Sequence, residues 1–186
     1  MKTLIKNGLL IDSANQVQAY LNLILEDGKV VAVTEEEPEA DRVIDATGKV
    51  VAPGFIDIHM HEDPVKDGKI EFCIFDAMLR MGVTTAVGGN CGINVYDPVK
   101  YLDMVEKDGA PVNVMLFAGH QYFREAAGAL DKYAPVTKEQ QEHMKKGLEK
   151  ALEAGCVGIS YGLRYVPGTG RDEFLDTASC CEKEHR

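Results

Sequence analysis

The chain has 186 residues, 45% hydrophobic and 27% charged, with 18 Gly, 7 Pro and no Trp, a composition that excludes collagen-like, low-complexity and disordered classes. Thirty acidic against twenty basic residues leave a net charge of −10, which repels phosphate backbones and argues against a nucleic-acid partner. No apolar run nears the roughly 18 residues that span a bilayer, so no membrane partner is expected, and Met1–Gly8 breaks its apolar stretch too early for a signal peptide.

The first fifty residues read as short strands joined by tight turns. Leu4-Ile5 and Leu9-Leu10-Ile11 flank Asn7-Gly8, while Leu21, Leu23 and Leu25 sit at strand spacing before Asp27-Gly28, with Val30–Val33 following. An Asp-Gly pair between two such runs signals a hairpin with a type I′ turn, because both central residues of that turn need positive φ. Thr34–Glu39 predicts a charged, solvated loop. Val43–Asp45 and Lys49–Val51, around Thr47-Gly48, complete a small β-unit.

From Pro53 the rhythm changes. Phe55–Ile58 predicts a buried strand and Lys69–Arg80 a helix whose apolar positions are Phe72, Phe75, Ala77, Met78 and Leu79. Val83–Val87, short and β-branched, predicts a strand; a helix near Val99–Glu106 and a strand at Val112–Phe117 follow. Thr137 and Gln140 make a capping-box pair that opens a helix with Met144, Leu148, Ala151 and Leu152 as its stripe and Gly155 at its stop. Cys156–Ser160 predicts a fourth strand, and the residues from Asp172 to Arg186 a last helix. Strand and helix alternating at about thirty residues mean βαβ units and a parallel sheet. Four such units fill residues 53–186, roughly half of the about 250 residues an eight-unit barrel takes. On spacing alone, a small open α/β sheet and the front half of a barrel both fit.

Three residues carry a distinct chemistry. His59 and His61, as i and i+2 at the end of a strand, project from one face, so both imidazoles can reach one ion at about 2.0–2.1 Å. Cys91, in Gly88-Gly89-Asn90-Cys91-Gly92 directly after the second strand, is a candidate third ligand, its glycines allowing a sharp turn and close approach. His120, ending the third strand in Ala118-Gly119-His120 at the mouth of the sheet, is a candidate substrate or supporting group. Glu62 and Asp63 either orient an imidazole or start a surface loop. Arg164 and Tyr165, in the loop after strand four, either meet a substrate or brace that loop. Cys73, Cys156, Cys180 and Cys181 read as core thiols and His143 as solvent-facing. Five cysteines without an export signal predict reduced thiols and a cytoplasmic protein.

The stretch Val51–His61 resembles the strand-one signature of the amidohydrolase superfamily. Within it, Gly82-Val83-Thr84-Thr85, Gly89-Asn90-Cys91-Gly92, Ala118-Gly119-His120 and Ala154–Gly168 are similar to the N-acyl-D-amino-acid deacylases (D-aminoacylases). The resemblance implies an α/β fold: the N-terminal half of a TIM-like (β/α)8 barrel at 53–186, preceded at 1–52 by strands of a small β-sandwich. It implies a zinc-dependent hydrolase of linear amides, with one or two Zn2+ ions activating water and a small N-acyl-D-amino acid as substrate. His59 and His61 would hold the more exposed zinc, Cys91 the tightly held one, and Tyr165 the substrate carboxylate.

In that family two histidines of strands five and six and an aspartate of strand eight complete the site. None of the three occurs in this chain, so no catalytic base is expected within it. The 186-residue chain alone is therefore expected to be inactive, with an open edge on strand four and a histidine-bearing fifth strand within about thirty residues beyond Arg186. Cyclic-amide hydrolases of the dihydroorotase or hydantoinase kind bridge their metals with a carboxylated lysine of strand four, and Cys156–Tyr161 holds no lysine. A scaffold that lost its metals would have no chemical need for His59, His61 and Cys91.

Overall fold

Seven short strands fill the first of two units, Met1–Gly54, in a computed structural model that describes residues 1–183. They are β1 (Lys2–Lys6), β2 (Leu9–Asp12), β3 (Val17–Tyr20), β4 (Asn22–Glu26), β5 (Lys29–Thr34), β6 (Arg42–Asp45) and β7 (Val50–Val51). One sheet runs β5-β4-β1-β6, the other β3-β2-β7. Asp27 (φ 49°) and Gly28 (φ 77°) turn β4 into β5, the doubly positive φ of a type I′ hairpin. Leu4, Leu10 and Ile24 are buried, with Ile5, Leu9, Ile11, Leu23 and Leu25 more accessible beside them.

The second unit begins at Phe55 and alternates strand with helix. Its elements are β8 (Phe55–Asp57), β9 (Val65–Lys66), β10 (Lys69–Ile70), α1 (Ile74–Arg80), β11 (Val83–Gly88), α2 (Pro98–Asp108), β12 (Asn113–Leu116), β13 (Ala118–Gly119), α3 (His120–Ala126), α4 (Lys138–Glu153), β14 (Ile159–Ser160) and α5 (Arg171–Lys183). β11 pairs in parallel with β8 and β12, and β13 in parallel with β14. Phe117 N donates to Gly88 O at 3.0 Å and Val157 N to Leu116 O at 2.8 Å, so β8, β11, β12–β13 and β14 lie side by side in chain order. Helical crossovers between successive strands leave parallel pairing as the outcome.

The core of this unit gathers Phe75, Tyr101, Leu116, Phe123, Met144, Leu148, Leu152 and Cys156. Thr137 caps α4 through both bonds of the capping box with Gln140, and Met144, Leu148, Ala151 and Leu152 are fully buried. Each large apolar side chain of that stripe contributes about 1.5–3 kcal/mol of burial. No helix among the described residues is long and apolar enough to cross a membrane.

Several expectations need correction. The helix expected from Lys69 starts only at Ile74: Asp67 (φ 51°) and Gly68 (φ 73°) make a second Asp-Gly turn, which pairs β10 with β9. The strand at Phe55–Ile58 is not buried. Phe55, Ile56 and Ile58 are 66%, 64% and 71% exposed, because β8 is an edge strand with a neighbour on one side only among the described residues. Of the fourth strand only Ile159–Ser160 is extended ladder. Cys156 and Cys180 are buried, but Cys73 is exposed, sitting just ahead of α1 rather than inside it. The last helix is seen to Lys183, and its expected run to Arg186 reaches outside the described residues.

Candidate metal centre

β8 ends at Asp57, whose Oδ1 accepts from His59 N at 3.0 Å. Past the strand the chain bends at His59. Met60 N donates to Val87 O at 3.3 Å, Met60 turns inward at 8% exposure, and His59 and His61 face outward on either side of it. Both imidazoles lie beyond the end of the strand, with ring centroids 6.4 Å apart and planes at 82°.

Cys91 reaches the pair from the turn after β11. Residues Asn90–Gly92 form a single 3-10 turn in which Cys91 adopts φ 60°, ψ 19°, a left-handed conformation that L residues seldom occupy. Gly89 (φ 72°) cannot be replaced: a Cβ there would lie 2.1 Å from Phe117 O. The result brings Cys91 Sγ within 3.4 Å of His59 Nε2, and one donor atom from each of His59, His61 and Cys91 falls within 4.8 Å of the others. Zn–N and Zn–S bonds of about 2.0 and 2.3 Å meeting at a tetrahedral angle would separate N from S by about 3.5 Å. The observed sulfur–nitrogen distance fits one shared cation, and two imidazoles with a thiolate are a donor set that zinc favours.

The remaining candidates lie elsewhere. Glu62 and Asp63 are buried, at 3% and 0% exposure, so they are not surface carboxylates, and their side-chain bonds lie away from the imidazoles. Glu62 Oε1 accepts from Asn94 Nδ2 at 2.8 Å. Burial raises its carboxyl above the usual range, against the pull of Asn94, nearby backbone N–H groups and His61. Asp63 instead caps α1, accepting from Cys73 N, Ile74 N and Phe75 N at 3.0, 2.7 and 2.9 Å.

His120 opens α3 rather than ending a strand, is wholly buried, and pairs with Glu173 Oε1 at 2.9 Å, so it is not brought to the cluster. Arg164 and Tyr165 are exposed. A Cβ at Gly162 would meet Cys91 O at 2.0 Å and Tyr165 Cδ2 at 2.7 Å, so the loop carrying Tyr165 packs directly on the Cys91 turn. Asn90, Asn94 and Ser160 were not legible as site residues, although Gly89-Asn90-Cys91-Gly92-Ile93-Asn94 places two carboxamides around the thiol.

The profile of the amidohydrolase family matches residues 42–164, which include His59, His61, Cys91 and the four parallel strands. The chain belongs to the amidohydrolase family. This amidohydrolase is 32% identical to the N-acyl-D-glutamate deacylase of Alcaligenes xylosoxydans xylosoxydans, the match covering 88% of this chain and 38% of that protein. It is also similar to the crystal structure of N-acyl-D-glutamate deacylase from Bordetella bronchiseptica complexed with zinc and a phosphonate inhibitor, at 30% identity and TM-score 0.84, covering 99% of this chain and 43% of the other. A D-aminoacylase solved for the role of its binuclear metal centre matches at 26% identity and TM-score 0.86, over 98% and 43%. The described amidohydrolase fold is therefore that of the D-aminoacylases, and the chain spans about 38% of the length of the curated relative.

Proposed function

We propose that this chain carries the metal-binding part of a zinc-dependent hydrolase that removes the acyl group from N-acyl-D-amino acids. The observation that carries the reading is the 3.4 Å approach of Cys91 Sγ to His59 Nε2 beside His61. In this reading residues 1–52 are the β-sandwich portion and 53–186 the first four βα units of the barrel. His59, His61 and Cys91 hold one or two Zn2+ ions. When bound, such an ion polarises the amide carbonyl and lowers the pKa of water from 15.7 to about 7.

The chain's own side chains do the rest of the binding. Tyr165 and Arg164, exposed on the loop that packs on the Cys91 turn, receive the substrate carboxylate, Arg164 as a charged fork and Tyr165 through its hydroxyl. The D-acyl substrate class comes from the two deacylases described above. Cys73, Cys91, Cys180 and Cys181 as thiols support a reducing, cytoplasmic setting. No carboxylate joins the three-donor cluster among the described residues, so the group that would take a proton from water is not supplied there. Hydrolysis by the 186 residues alone is expected to be absent.

The test is metal content. After dialysis against metal-free buffer, the purified chain should retain zinc, and Cys91→Ser and His59→Ala should each lose it while keeping their helix content. Equal zinc in parent and Cys91→Ser, or none in a folded parent, overturns the assignment. Measurable release of the D-amino acid by the chain alone would contradict the expected inactivity.

A further inference from the structure

Cys91 and His59 belong to different segments, 32 residues apart, and something must hold them in register. One side chain touches both. Asn90 is 8% exposed, and its Nδ2 donates to Val87 O at 2.8 Å, Ile58 O at 3.3 Å and Met60 O at 3.4 Å. The carbonyls of Ile58 and Met60 belong to the residues immediately before and after His59, so the carboxamide grips the peptide on both sides of one metal-ligand candidate. It does so from the residue preceding the other.

Across the turn, the Ser160 hydroxyl accepts from Gly92 N at 2.9 Å and donates to Gly89 O. Its one oxygen therefore ties the residues two before and one after Cys91. Left-handed φ is unfavourable at a non-glycine residue such as Cys91, and these bonds keep the turn closed around it. None of these bonds uses the cluster's donor atoms, so they can hold its geometry independently of a ligand.

We propose that Asn90 and Ser160 are positioning residues of the metal centre: together they fix the Cys91 sulfur against the His59 imidazole before a cation arrives. The inference rests on the metal-site reading above. It goes beyond that reading because the role of both side chains runs through backbone groups: Asn90 Nδ2 bonds three carbonyls, and Ser160 Oγ bonds Gly92 N and Gly89 O. Groups that orient metal ligands through hydrogen bonds change affinity by about 10–100-fold when lost.

Cobalt(II) titration of the whole chain reads both affinity and the thiolate-to-cobalt charge-transfer absorption, which reports sulfur at the ion. Ser160→Ala should weaken cobalt binding by about tenfold or more and reduce the thiolate band at saturation, and Ser160→Thr, which keeps the hydroxyl, should restore both. Asn90→Asp, the same shape with its donor removed, should act like Ser160→Ala. Thr137→Ala, which removes the α4 cap away from the turn, should leave affinity and band at the parental values. If Ser160→Ala or Asn90→Asp, with parental circular dichroism, binds cobalt as the parent does with the full band, the positioning role is overturned and the metal site stands. A folded parent with no thiolate band overturns both. Should Asn90→Asp fail to fold, the Ser160→Ala and Ser160→Thr pair decides.

Discussion

Glu173, on α5, places Oε1 2.9 Å from Nε2 of His120 at the start of α3, with both side chains buried. The same oxygen accepts from Arg124 Nε at 3.1 Å, and Arg124 in turn donates to the carbonyls of Ala129, Asp131 and Ala134. One carboxylate thus joins two helices and the loop between α3 and α4. Tyr161 packs on the His120 ring at 5.0 Å between centroids and reaches Thr177 of α5 by a 2.9 Å hydrogen bond.

Burial alone would raise the Glu173 carboxyl, but the hydrogen bond and charge of His120 and those of Arg124 outweigh it and hold it below its ordinary range. A carboxylate depressed in the folded state contributes stability that is present above its unfolded pKa, about 4.3, and is lost as pH falls through the folded value. Chemical denaturation between pH 7 and pH 3 should show the parent losing stability below about pH 4.5. Glu173→Gln should be less stable at pH 7 and show a shallower loss over the same range. An unchanged acid limb in Glu173→Gln would show that other carboxylates govern it.

Asp63 serves α1 from ten residues upstream, accepting three backbone N–H bonds while wholly buried. Asp63→Ala leaves those donors without a partner, at about 1–3 kcal/mol for a buried unpaired group. A fall of that size in the urea midpoint, with the slope unchanged, is the expected result; a shift below about 0.5 kcal/mol would mean that water replaces the carboxylate.

Gly89→Ala adds a Cβ at 2.1 Å from the Phe117 carbonyl oxygen, and backbone on backbone leaves no flexible group to yield. Residues forced into such positions cost of order 1–3 kcal/mol. Thermal denaturation should show at least that loss together with weakened zinc retention, since the turn carries Cys91. A variant as stable and as zinc-loaded as the parent would contradict the tight contact.

Zinc itself should stabilise the folded chain by mass action. At free zinc one hundred times the dissociation constant the gain is about 2.7 kcal/mol, read as a rise in thermal midpoint that Cys91→Ser abolishes. A midpoint independent of zinc in the parent would count against the cluster.

Much of this was legible in local signals. The Asp27-Gly28 turn, the capping box of Thr137 and Gln140, and the buried stripe of α4 are written within a few consecutive residues and appear as expected. Asp67-Gly68 carries the same hairpin signal, outweighed in the sequence by the apolar run at Phe72–Leu79, so the helix was expected five residues early. The burial of Glu62 and Asp63 was not legible: a carboxylate beside histidines looks the same in sequence whether it faces water, a metal ligand or a helix end. Nor was the withdrawal of His120 from the mouth of the sheet, since its partner Glu173 lies 53 residues away.

By itself the sequence determined the alternation of elements, the parallel order of the strands, and which residue types could ligate a cation, because periodicity, turn chemistry and donor atoms are local properties of the chain. Only the tertiary structure decided which of those donors meet. It brought Cys91 to His59 and His61, sent His120 to Glu173, and gave Asn90 and Ser160 their hold on the turn. Each of those pairings depends on distances between segments far apart in the chain, which arise only once strands have found their neighbours and helices have closed over them.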